Sequence, residues 1–237
     1  MTKVHYFSKM KFSHFFDIDF FRYSMDNEIK KGRWNMGKIE SKKKQKKNAL
    51  LQTAFELFTD KGFAKTTISD IVNQAGLAKG TFYLYFKDKY DLRNKLTAYK
   101  AGQLFSDAHQ SILVHPVNGL ENQILYFADF FIESFEKDHE LLRFIAKNLS
   151  WGIFRTAFEQ TVPEESQQFY DYFMEIIKKG SVSCEEPELM LFTIIELVGS
   201  TCYNCILFHQ PVSMEEYKPF LHQTILQIIR QYTTLPE

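Results

Sequence analysis

Cysteine is scarce in this chain. Three in 237 residues, Cys184, Cys202 and Cys205, are too few for a disulfide framework, and they fit a reducing compartment. No run of about 18 or more apolar residues occurs, so no transmembrane helix is expected. The start does not resemble a secretory signal, so the chain is expected to be cytoplasmic. A glycine-rich phosphate loop, a nucleophile elbow, a His-Glu-x-x-His pair and a carboxylate pair framed for a substrate are all missing. Enzymatic chemistry therefore has no support, and no cofactor is expected.

Net charge is also absent, but only as a total. Residues 36–100 carry 14 basic against 6 acidic side chains, net +8, while residues 101–237 carry 8 against 19, net −11. The leading 35 residues add +3. A basic module joined to an acidic one suits a chain that meets nucleic acid with one end only. At 45% apolar content the chain can bury a substantial core.

The informative stretch runs from Thr66 to Leu92. Ile68, Ile71, Val72 and Ala75 recur at helical spacing behind Thr67, with Asp70 placed to complete a capping box. Gly76 stands where a left-handed residue ends a helix, and Leu77 plugs the corner. A second short helix, Lys79 to about Phe86, is anchored by Phe82 and Phe86. Lys79, Gly80, Thr81, Tyr83 and Tyr85 are left facing outward, an unusual set for solvent alone. Asp88 caps a further helix from Lys89 to about His109.

The pattern Thr-Thr-Ile-x-x-Ile-x-x-x-Ala-Gly-Leu-x-Lys-Gly-Thr-Phe-Tyr-x-Tyr-Phe-x-x-Lys-x-x-Leu resembles the helix-turn-helix signature of the TetR/AcrR family of transcriptional regulators. The resemblance implies an all-α, homodimeric, ligand-responsive, sequence-specific DNA-binding protein, most often a repressor released from its operator by a small molecule. Lys79 is then placed for a guanine edge. Thr67, Thr81, Tyr83 and Lys89 are placed for phosphate, with Gly80 and Tyr85 on the same face. The chain departs from the family at Ala78, where serine or threonine is usual, so the recognition helix lacks a side-chain cap worth about 1 kcal/mol.

Three domains are expected. Residues 1–35 are an aromatic-rich extension without a clean period, with Met36 the expected natural start. Residues 36–92 form a three-helix DNA-binding bundle, its first helix preceded by Lys42, Lys43, Lys44, Lys46 and Lys47 as a phosphate-seeking arm. Residues 93–237 form a helical effector-binding and dimerisation module, with breakers near Pro116, Pro163, residues 180–187 and Pro211.

In that module Phe127, Phe131, Trp151, Phe154 and Tyr170 are candidates to enclose an apolar effector, although an aromatic stripe at helical spacing is more often plain core. The last two helices, about 188–209 and 213–232, are too apolar for one subunit to cover. They are expected to pair as a four-helix bundle in a homodimer. Two other readings compete. Cys202, Cys205 and His209 fall on one face of a continuous helix and would suit a thiol or metal sensor, and the scaffold would also suit a protein-binding adaptor. A membrane partner is not expected.

Overall fold

The structure, a computed structural model, describes residues 18–149, 152–153, 164–179 and 183–234. Its contacts divide the chain into two compact units, Met1–Leu50 and Leu51–Glu237. The first unit is helical from Ile18 onward, within α1 (Ile18–Asp60). A helix starting only after the lysine run was expected. Instead Lys42, Lys43, Lys44, Lys46 and Lys47 lie inside α1, because Lys, Gln, Ala and Leu are all good helix formers and no proline interrupts them. The first four of those lysines are exposed.

In the second unit the rest of α1 is followed by α2 (Ile68–Gln74), α3 (Lys79–Tyr83) and α4 (Lys89–Val114). Thr67 caps α2, accepting the Asp70 N–H at 3.1 Å while the Asp70 carboxylate accepts the Thr67 N–H at 2.9 Å. Hydrogen bonding of the carboxyl to Thr67, to its backbone N–H first and its side chain second, holds Asp70 below its ordinary range. Gly76 takes φ +65°, as the turn requires. Ala78 makes no side-chain cap. Helix α3 ends at Tyr83, short of Phe86, and Leu84 and Tyr85 close the turn with bonds to Thr81 and Phe82 three residues back. Ala54, Leu57, Phe58, Ile71, Val72, Phe82 and Phe86 are buried as expected, whereas Ile68 and Leu77 are half-buried.

Helix α4 runs past His109 to Val114 because its apolar spacing continues through Ala101, Leu104, Phe105, Ala108 and Ile112. It packs against α6 (His139–Asn148), α5 (Leu120–Lys137) and α7 (Glu164–Lys179). A strand β1 (Ser183–Cys184) precedes α8 (Pro187–Phe208) and α9 (Met214–Tyr232), and pairs antiparallel with β2 (Thr233–Thr234). These two-residue strands leave the architecture all-α. Pro187 opens α8 at a first-turn position, where its missing N–H costs nothing.

One continuous core joins α4 through α9, from Ala101 to Ile229. By length and composition α8 is apolar enough to span a membrane, which a search for an unbroken apolar run does not reveal because Glu188, Glu196 and Asn204 interrupt it. In this fold α8 packs on α9, α6 and α5. It buries Met190, Leu191, Ile194 and Val198, and leaves Leu189 and Phe208 exposed.

Candidate nucleic-acid interface and effector cavity

Helix α3 is held by Phe82 and by Phe86 just beyond its end, and offers most of its remaining surface to solvent. Phe82 and Phe86 are sealed, their rings 5.5 Å apart, while Lys79 and Gly80 are exposed and Tyr83 is 54% exposed. Thr81 and Tyr85 are half-buried, and Thr67 is exposed at the head of α2. The ring of Tyr83 meets the edge of Phe82 at 5.3 Å, so it projects from a fixed base. Leu84 is 78% exposed beside it, although nothing in the spacing singled it out. A Cβ built on Gly80 meets no atom within 4 Å, so the space above this backbone is open.

Lys89 stands apart from the other candidates. Its ammonium donates to the Phe63 and Thr66 carbonyls, each at 2.8 Å, and lies 4.3 Å from the centre of the Phe63 ring. Lys47 is half-buried within α1.

A partly enclosed cavity of about 590 Å³ opens in the core of the helical module. Phe127, Phe131, Phe135 and Ile124 of α5 line it, with Ala101, Leu104 and Phe105 of α4, Ile145 of α6, and Leu191, Ile194 and Val198 of α8. Polar groups reach it from Lys147, Ser200, Tyr203 and Asn204. Of the residues expected there, Phe127 and Phe131 are walls. Tyr170 is not, and its hydroxyl donates to Glu188 Oε1 at 2.5 Å instead. Trp151 and Phe154 lie outside the described residues. The walls from α4 and α8 were missed, though the apolar series continuing past Lys100 carried the signal for the first of them.

The structure does not bring the three groups of the cysteine reading onto one face. Helix α8 ends at Phe208, and His209 turns left-handed at φ 52° and is exposed, so it does not share a face with the buried Cys202 and Cys205. Burial pushes the Cys202 thiol up to about 12, with Cys205 and Glu136 adding to the shift. Among the described residues no group of three or more ligating side chains could hold a metal.

A family model described as "Bacterial regulatory proteins, tetR family" matches residues 50–96, the stretch carrying the capped α2 and exposed α3. Residues 50–96 thus form a DNA-binding domain of the tetR type. The chain is 28% identical over 185 residues to the uncharacterized HTH-type transcriptional regulator YvdT of Bacillus subtilis, covering 71% of this chain and 87% of that protein. It is 27% identical over 195 residues to the HTH-type transcriptional repressor KstR2 of Mycolicibacterium smegmatis, covering 80% and 88%. The crystal structure of the transcriptional regulator FadR from Bacillus subtilis in complex with stearoyl-CoA shares its fold, with a TM-score of 0.54 at 19% identity over 75% of this chain and 96% of that one. The chain is thus a DNA-binding transcriptional regulator.

Proposed function

We propose that this regulator is a cytoplasmic, homodimeric repressor released from its operator by an effector with a long apolar part. The observation that carries the reading is the double role of α4. Its first turns, with Leu92 and Leu96 fully buried, follow directly on the helix-turn-helix, and its middle turns present Ala101, Leu104 and Phe105 to the cavity. An effector that favours one tilt of α4 changes the presentation of α3 by its differential affinity for that tilt.

The DNA face consists of Lys79, Gly80, Thr81, Tyr83 and Tyr85, with Thr67 at the flanking phosphate. The apolar walls and the polar groups Lys147, Ser200 and Asn204 suit a chain-like molecule with a polar end. An acyl-CoA thioester is the first to test, since FadR of similar fold is a stearoyl-CoA complex.

Dimerisation through α8 and α9 is supported by the apolar surface they leave uncovered, with Leu189 48%, Phe208 53% and Phe220 66% exposed. A two-fold dimer would space its recognition helices by one turn of DNA, about 34 to 36 Å.

Genomic footprinting with the purified chain, repeated with stearoyl-CoA, tests both halves of the reading. Protected promoter sites that are lost on adding the thioester are expected. An absence of protected sites would remove the regulator reading, whereas sites indifferent to the thioester would remove only the effector class.

A further inference from the structure

We propose that Lys89 is a positioning residue of the DNA-binding module, clamping the turn between α1 and α2 to the first turn of α4, and not a phosphate ligand. The proposal rests on operator binding through α3. Lys89 opens α4, and its ammonium reaches back 26 and 23 residues to the Phe63 and Thr66 carbonyls, 2.8 Å from each.

Both acceptors belong to a turn that is fixed from other sides too. Thr66 is fully buried, and its hydroxyl donates to the carbonyls of Gly62 at 2.9 Å and Leu57 at 3.2 Å. The ring of Phe63 carries the Lys89 ammonium at 4.3 Å and the Arg93 guanidinium at 5.0 Å, and it meets the edges of Phe58 and Tyr90.

Two charge-assisted bonds and a ring hold the ammonium against its own backbone, a site built for the charge within the chain. The Thr66 carbonyl immediately precedes Thr67, the cap of α2. Lys89 therefore ties the start of α2 to the start of α4, and α2 carries α3 through the Gly76 turn. Because α4 also lines the cavity, the clamp makes α2 follow any movement of its first turn.

The distinction is measurable, because a lost phosphate contact changes the salt dependence of binding and a lost clamp does not. A labelled duplex of the footprinted promoter is titrated with the full chain at increasing potassium chloride, comparing wild type with Lys89→Met and Lys89→Gln. Lys89→Met is expected to weaken binding about tenfold at every salt concentration with the wild-type slope, and to speed amide exchange over residues 63–67.

Lys89→Gln, whose amide can still donate to one carbonyl, should lie between the two and preserves the comparison if the methionine variant does not fold. A slope shallower by about 0.9 in either variant marks a phosphate contact and overturns the proposal. So does unchanged operator affinity in a folded Lys89→Met.

Discussion

Phe55 and Phe144 meet edge to face, ring centroids 5.4 Å apart and planes at 81°. The pair joins α1 of the DNA-binding bundle to α6, whose next residues, Ile145 to Lys147, reach the cavity. Lys100 of α4 lies 4.2 Å from the same Phe55 ring. Burial lowers its ammonium pKa, partly offset by Asp138 and Glu56. Two routes thus run from cavity to bundle, one along α4 and one through this ring pair. Phe144→Leu keeps the apolar bulk and removes the edge-to-face contact. The ratio of operator Kd with and without effector is expected to shrink by up to about tenfold, the worth of one such pair. Affinity without effector should change less. An unchanged ratio in anisotropy titrations would show that α4 carries the coupling alone.

Gly80 and Tyr83 separate recognition from folding. No atom lies within 4 Å of a Cβ on Gly80, so Gly80→Ala meets no clash within the chain and gains helix propensity, about 0.5 to 1 kcal/mol. Its thermal midpoint should hold or rise while operator affinity falls, since only an approaching partner can occupy that space. Tyr83→Ala should likewise weaken binding with little change in midpoint, because the side chain is 54% exposed. A fall in midpoint without a fall in affinity, for either variant, would place that residue in the scaffold and not at the DNA.

The buried thiols should be inert. Cys202 is fully buried with its thiol pushed up to about 12, and burial raises Cys205 as well. In the native protein Ellman's reagent should reach Cys184 first, since Cys184 is only partly buried. Diamide should leave operator binding unchanged. The Cys202→Ala/Cys205→Ala variant should lose about 1 kcal/mol per site in stability and keep its effector response. Loss of that response with intact DNA binding would restore a sensing role for the thiols.

Much of the site was legible because the residues that build it act locally. Thr67 and Asp70 cap within one turn, Gly76 sets its own backbone, and Phe82 and Phe86 show their spacing directly. Positions that depend on distant partners were not. The contacts of Lys89 with Phe63 and Thr66 span 26 and 23 residues, so no local pattern reveals them. Likewise Cys202, Cys205 and His209 share a face only if α8 continues, and the left-handed His209 ends it. In the cavity, α5 announced itself by its phenylalanines, while α4 contributes Ala101 and Leu104, which look like ordinary core at helical spacing.

His109 provides a pH-dependent readout of the effector module. It lies on α4 with 8% of its surface exposed, packed 4.9 Å from Tyr172, and its Nδ1 has no hydrogen-bond partner among the described residues. Burial lowers its pKa from the ordinary 6.5, so the unfolded chain takes up a proton more readily than the folded one. The stability this neutral imidazole contributes is complete above about pH 6.5 and is lost as pH falls from there toward the folded pKa. Thermal midpoints of the wild type should therefore drop between about pH 7 and pH 5, and those of His109→Leu should drop less over the same window. Taking the difference between the two profiles removes the contribution of every other group that both variants share. Parallel profiles would mean that the imidazole finds water or a partner in solution and is not held neutral by the core.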